Sequence, residues 1–356
     1  MRNIVFIHLF NDRSGSPRVL SQVINAIFNA GYNVETLTSC HSYGFLDGVP
    51  GTKRTIFYKR SENKFVTLFF YMISQVHLFF YCFRYLKVDA IFYVNTMMPF
   101  GAALAAKIMG KTVVYHVHET SIRPLLLKRF LRLIIKITAG KILFVSNYLK
   151  NAEAFENIPQ YVVHNALSTT VAPCRRKNNE IFNILMVCSL KKYKGVLEFF
   201  SVAEKLLGNP ILTFTLVLNA TAEEIENFCL TVPPPENMRL ISRQSNMEPF
   251  YNSASLLLNL SRPDEWIETF GLTIIEAMAK GLPVIVPPVG GPAELISDGQ
   301  EGYLISCYEV EEICSAISRL AEDSNLYENM SRHAVRRAQD FELAEFNKRM
   351  IDVIDQ

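Results

Sequence analysis

Short runs rich in β-branched and aromatic residues, apolar from end to end, recur along this chain with helical stretches between them. The runs fall at 3–9, 33–37, 90–94, 112–117 and 142–145, and again at 183–188, 212–218, 238–241, 255–259, 283–287 and about 303–305. Helical patterns occupy 17–30, 101–109, 122–139, 195–207, 248–253, 273–280 and 310–321, and a last one covers roughly 326–354. A strand that is apolar on both faces needs cover on both faces, and parallel strands are joined by helical crossovers. The pattern therefore predicts parallel sheets with helices on either side. The alternation pauses once, at 173–179, where PCRRKNN carries no apolar period and reads as a linker. With 356 residues the chain is too long for one ordinary core. The expectation is α/β: two Rossmann-like, doubly wound domains over 1–167 and 168–335. Residues 336–356 are expected to form a helix that packs back on the first domain.

Charge divides along the same line. Residues 1–165 hold 19 Lys and Arg against 8 Asp and Glu, an excess of 11 positive charges. The remainder holds 17 against 26, an excess of 9 negative charges. Two halves of opposite sign are expected to meet different partners. The basic half shows no helix-turn-helix, zinc or RNP-like pattern, so nucleic acid is not expected. An anionic membrane or a phosphate-bearing lipid fits it better. The cysteines, Cys40, Cys82, Cys174, Cys188, Cys229, Cys307 and Cys314, are scattered and mostly in apolar runs. They read as buried free thiols in a reducing compartment. The opening run Ile4–Ile7 is cut short by Asn11 and Asp12, unlike a signal peptide, and a cytoplasmic location is expected.

The densest chemistry lies between Ser261 and Gly302, SRPDEWIETFGLTIIEAMAKGLPVIVPPVGGPAELISDGQEG. Glu268 precedes a turn at Gly271, and Glu276 lies on the helix after it, which ends at Gly281 before Pro283 opens a strand. The amides of Phe270, Gly271, Leu272 and Thr273 stand at that helix start, where unpaired N–H groups and the helix dipole favour a diphosphate. Glu268 is placed to take sugar hydroxyls and Glu276 a ribose. A second turn, Gly290-Gly291, leads to Glu294.

This segment resembles the E-x7-E signature of family-4 retaining glycosyltransferases of the GT-B fold, here Glu268 to Glu276 joined to F-G-L-T, E-A-M-A, G-L-P-V and G-G-x-x-E in order. Other pieces are similar to the same family: Ser14-Gly15-Ser16-Pro17 after the first strand, Val145-Ser146, His164-Asn165, the strand end His116-Val117-His118-Glu119, and Cys188-Ser189-Leu190 followed by Lys194-Gly195. The resemblance implies a donor site between two domains that face a cleft. It places Gly15, Ser16, Ser189, Lys194, Arg243, Glu268, Phe270, Gly271, Leu272, Thr273 and Glu276 on the donor, with His118, Lys194 and Glu268 nearest the chemistry. His116 lies on the same strand face as His118 and rivals it. The chain departs from the family pattern where Cys188-Ser189 stands in place of Gly-Arg. Lys191, Lys192 and Arg243 are the candidates to supply the lost cation.

Breaking a glycosyl–diphosphate bond builds negative charge on the leaving group. No D-x-D occurs in the sequence, so no metal cofactor is expected, and Lys194 with the helix-start amides is expected to meet that charge. The resemblance further implies retention of anomeric configuration and transfer of a hexose-type sugar from a UDP-, GDP- or dTDP-sugar. The acceptor is expected to be a lipid-linked saccharide in bacterial surface polysaccharide or lipopolysaccharide synthesis. A 2-epimerase of the same fold and a non-catalytic sugar-nucleotide-binding subunit are the alternatives. Residues 65–86 are long and apolar enough to span a bilayer but are interrupted by Ser74, Gln75, His77 and Arg84. They read as a half-buried crossover helix with exposed aromatics. Residues 121–141 carry Lys128, Arg129, Arg132 and Lys136 beside a broad apolar face, which suits either a membrane interface or a sheet.

Overall fold

The computed structural model describes residues 2–39, 44–168, 171–173 and 181–356. Cys40, Cys174 and the linker residues 174–179 lie outside them. The chain forms two compact units, Met1–Asn165 with Ala344–Gln356, and Ala166–Leu343.

The first unit holds β1 (Asn3–Ile7), α1 (Gly15–Asn29), β2 (Asn33–Ser39), β3 (Thr52–Ile56), α2 (Lys64–Cys82), β4 (Ala90–Asn95), α3 (Phe100–Ile108), β5 (Val113–Val117), α4 (Leu125–Thr138), β6 (Lys141–Phe144), α5 (Asn147–Glu153) and β7 (Gln160–Val162). Its seven strands are parallel in the order β3-β2-β1-β4-β5-β6-β7. The central strands are buried throughout, which is why they read as unbroken apolar runs in the sequence. The edge strands β3 and β7 escape a sequence reading for the complementary reason. β3 is TKRTI with four of its five residues exposed, and β7 is a half-buried QYV.

The second unit holds β8 (Phe182–Cys188), α6 (Val196–Lys205), β9 (Leu212–Leu218), α7 (Ala222–Thr231), β10 (Met238–Ile241), α8 (Glu248–Ser253), β11 (Leu256–Leu258), α9 (Leu272–Ala279), β12 (Val284–Val286), α10 (Pro292–Leu295), β13 (Gly302–Leu304), α11 (Val310–Glu322) and α12 (Ser324–Ala338). Its six parallel strands run β10-β9-β8-β11-β12-β13. In both sheets the chain works outward from the first strand to one side, then returns and works to the other. That order creates a switch point between β1 and β4 and another between β8 and β11, where the flanking loops diverge and leave room for a ligand.

The helical stretch expected at 326–354 is two helices. α12 stops at Ala338 and a 3-10 turn, Gln339–Phe341, intervenes before α13 (Leu343–Asp355). Phe341 is buried edge-on against Phe270 and its carbonyl accepts from the Leu167 amide, so the chain must turn there. α13 belongs to the first unit, where Asp355 accepts from the Tyr32 hydroxyl and the Val353 carbonyl from Lys141. The five described cysteines are unpaired: Cys82, Cys307 and Cys314 are buried and Cys188 and Cys229 half-buried.

Candidate functional site

In the second unit the switch point is built from two strand ends. β8 ends at Cys188, and Ser189 begins the loop to a 3-10 turn, Lys192–Lys194. Gly195 follows with φ +78, and a Cβ there would stand 2.0 Å from the Leu260 carbonyl oxygen. Only glycine lets the α6 start approach the loop after β11 this closely. That approach joins residues 74 apart in sequence: Lys194 Nζ donates to Glu268 Oε2 as an ion pair, the two side chains 18% and 23% exposed. Burial works to lower the Lys194 pKa, but the Glu268 carboxylate more than offsets it and the net shift is upward. A fixed cation therefore stands at the switch point.

Gly271, at φ +119, opens α9, and Leu272 and Thr273 are its first residues. Phe270 is buried, so it contributes its backbone rather than its ring. Glu276 Oε2 accepts from the Tyr251 hydroxyl at 2.7 Å, which fixes its carboxylate. The Gly290-Gly291 turn lies directly against this segment. The Gly291 amide donates to the Glu268 carbonyl at 2.9 Å, and a Cβ on Gly291 would meet the Thr269 carbonyl oxygen at 2.3 Å. Gly291 has φ −60, so its replacement tests sterics without backbone strain. Gly291→Ala is expected to destabilise the protein by ~1–3 kcal/mol through overpacking and to lower donor turnover by displacing Glu268. Gly208→Ala, where a Cβ meets nothing within 4 Å, is the control. Urea denaturation and turnover equal to that control would remove Gly291 from the site.

In the first unit Gly15 and Ser16 open α1 beyond the end of β1. Asn95, at the end of β4 and fully buried, ties three elements together. Its Oδ1 accepts from His118 Nε2 at 2.9 Å, and its amide nitrogen faces His8 Nδ1 at 3.1 Å and the Ser16 carbonyl at 3.4 Å. The Ser16 carbonyl can only accept, which sets the orientation of the Asn95 amide and hence places a proton on His118 Nε2. Glu119 clamps the turn, accepting from the Met97 and His118 amides, beside Thr96 at φ 72. His118 is half-buried. His116 is fully buried with Nδ1 on the Tyr93 hydroxyl at 2.7 Å, so of the two rivals it is the core residue.

Burial pushes the His8 pKa down to about 4 and that of His116 to about 3, and holds His118 well below its ordinary 6.5. A histidine kept neutral by the fold binds a proton more readily when unfolded. Stability from these groups is therefore present above pH 6.5 and is lost as pH falls toward 4. Glu119, pushed by burial up to about 7, works in the opposite sense between pH 4.5 and 7. Three histidines outweigh one carboxyl, so acidification below pH 6.5 is expected to destabilise the first unit. His116→Gln is expected to flatten the slope of stability against pH by about 1.4 kcal/mol per unit below pH 6. Urea denaturation across that range would show an unchanged slope if the assignment were wrong.

Residues 174–337 match the family model described as glycosyl transferases group 1. The second unit is thus similar to that family over most of its length. Over 98 residues the chain is 36% identical to D-inositol 3-phosphate glycosyltransferase of Streptomyces griseus subsp. griseus, a stretch covering 28% of this chain and 20% of that protein. Among solved structures, HepE of Anabaena in complex with UDP and glucose aligns over 100% of both chains, with a TM-score of 0.81 and 17% identity. The lipopolysaccharide outer core galactosyltransferase WaaB aligns over 99% of both, with a TM-score of 0.73 and 18% identity. At these identities the likeness is one of fold, the GT-B architecture of two parallel-sheet α/β domains.

The end of β8 at Cys188-Ser189 carries no cation of its own. Burial pushes the Cys188 thiol up to about 12, so it stays neutral beside Lys194. Arg243 is exposed on the chain leaving β10, its Nε donating to Asn219 at 2.6 Å, while the Asn219 amide donates to the Cys188 carbonyl. Asn219 thus links Arg243 to the end of β8. Arg262 lies in no motif that would single it out. This buried residue reaches Glu198 of α6 at 2.6 Å and Glu265 at 2.7 Å, and its amide donates to the Tyr193 carbonyl. It pins the loop that carries Trp266, stacked on Tyr193, and then Glu268.

Proposed function

We propose that the chain is a retaining, metal-independent hexosyltransferase of family 4. It moves a hexose-type sugar from a nucleotide-sugar to a lipid-linked saccharide in bacterial surface polysaccharide or lipopolysaccharide synthesis, in the cytoplasm on the inner face of the membrane. The Lys194–Glu268 pair at the β8–β11 switch point carries this reading. A cation held by a sugar-binding carboxylate, beside an open helix start, matches the needs of a departing diphosphate next to a reacting sugar. The amides of Phe270, Gly271, Leu272 and Thr273 take phosphate oxygens, and Ser189 and Arg243 add to that end of the donor. Glu276 receives the ribose. Glu268 positions the sugar hydroxyls and forms no covalent intermediate. The leaving phosphate assists deprotonation of the acceptor for same-face attack. His118, Gly15 and Ser16 also serve the donor sugar.

The absence of a D-x-D from the sequence supports metal independence, and the UDP and glucose bound to HepE make a UDP-sugar the first donor to try. WaaB, a lipopolysaccharide outer core galactosyltransferase that shares the fold, supports the proposed acceptor class. The test is a hydrolysis and binding screen of the purified protein against UDP-, GDP- and dTDP-sugars with and without EDTA. Slow release of one nucleoside diphosphate, unaffected by EDTA, is expected. Binding without turnover by any donor would overturn the enzyme reading in favour of a binding subunit, and loss with EDTA would overturn metal independence.

A further inference from the structure

α2 is built inside out. Beyond Lys64 at its start the helix carries no charged residue through Cys82, yet the stripe it turns inward includes its most polar members. Ser74 and Gln75 are buried. Gln75 Oε1 accepts from the Gly101 amide of α3 at 3.0 Å, its Nε2 donates to Ser74 Oγ, and Ser74 Oγ donates to the Tyr71 carbonyl. Facing outward are Phe65, Phe69, Met72, Ile73, Val76 and Phe80, with the three phenylalanines 84%, 62% and 68% exposed. An apolar face this large on a soluble surface marks a contact site.

The same helical layer holds α4, with the small-residue helix α3 packed between them. The four cations of α4 divide. Lys128 and Arg132 turn to Glu153, which is buried, and serve the fold. Arg129 and Lys136 are exposed in the same outward stripe as Leu126, Phe130, Leu133 and Ile137. α2 is likewise bordered by exposed Lys59, Lys64, Arg84 and Lys87, and from 59 to 88 the single carboxylate is Glu62. Apolar side chains interleaved with and bordered by cations suit a layer where acyl chains meet anionic headgroups. A second copy of the chain would set like charges against each other on this face.

α2 is the one helix among the described residues long and apolar enough to cross a bilayer. Its inner stripe argues against crossing. A Cβ on Gly101 would stand 2.1 Å from the Gln75 carbonyl, so α2 and α3 are in backbone contact and share buried hydrogen bonds. We infer that α2 lies in the plane of an anionic membrane with its outward phenylalanines inserted, and that Arg129 and Lys136 of α4 hold the adjoining headgroups. This rests on the membrane attachment proposed above and names the face that makes it.

The test is co-sedimentation of the full chain with phosphatidylcholine vesicles, with and without phosphatidylglycerol, at low and high salt. Wild-type protein is expected to bind the anionic vesicles, less so at high salt. The triple variant Phe65→Ser, Phe69→Ser, Phe80→Ser is expected to lose at least tenfold in partitioning, and Arg129→Glu with Lys136→Glu to lose the preference for anionic lipid. Because all five side chains are exposed and lie outside the donor site, nucleotide-sugar hydrolysis is expected to be unchanged in both variants. In a Phe69→Trp variant, quenching by brominated acyl chains is expected to report insertion. Wild-type binding that survives the triple change, with no quenching at position 69, would overturn the assignment of α2 and leave membrane attachment standing. No binding of the wild type at low salt would overturn the attachment itself.

Discussion

Lys194→Ala is expected to lower donor turnover by ~10²–10³-fold, the range seen when one preorganised group is removed from a site of developing charge. The expectation follows from its setting. The ammonium is mostly buried, kept charged by Glu268, and placed by a glycine turn at the switch point of the second sheet. Charge on a leaving diphosphate grows toward the transition state, so the loss is expected mainly in kcat rather than KM. Glu268→Ala is expected to cost a similar factor. Because the two side chains act as one unit, the double variant is expected to fall little below the worse single one. Retention of more than a tenth of wild-type turnover by Lys194→Ala, with an unchanged circular dichroism spectrum, would remove the lysine from the mechanism.

Arg262→Leu is expected to destabilise the protein by ~3–5 kcal/mol, because it strands the Glu198 carboxylate in a buried site without its counter-charge. Glu198 is 11% exposed and its second oxygen has no hydrogen-bond partner among the described residues, so none of them stands ready to compensate. A second change, Glu198→Leu, is expected to restore most of the loss, since an apolar pair often replaces a buried ion pair at little cost. Urea midpoints with constant m-values would read both effects. A loss below about 1 kcal/mol for Arg262→Leu, or no recovery in the double variant, would contradict this account. Activity is expected to track stability here, because the pinned loop leads to Glu268.

The parallel sheets were legible in the sequence because a strand covered on both faces must be apolar along its whole length, as AIFYVN and FNILMVC are. β3 was not, because an edge strand of threonines, a lysine and an arginine carries no such signal. α7 has little apolar periodicity, although its start is legible: Thr221 and Glu224 form a capping box, visible as T-x-x-E. At the site, Lys194, Glu268, Gly271 and the Gly290-Gly291 turn could be named because their motifs are local. Arg262 and Asn95 could not, because their partners lie 64 and 23 residues away and no spacing rule links them. The polar interruptions in α2 were visible, but whether they faced water or α3 depended on the tertiary neighbour that Gly101 supplies.

The described cysteines have a practical consequence. Burial raises the thiol pKa of Cys82 to about 12 and that of Cys307 to about 11. At neutral pH almost none of these sulfurs is the nucleophilic thiolate, so alkylating reagents must wait for the surrounding structure to open. Cys82 sits in the first unit and Cys307 in the second. Site-resolved labelling would thus time the opening of each half of the molecule separately, with no probe introduced.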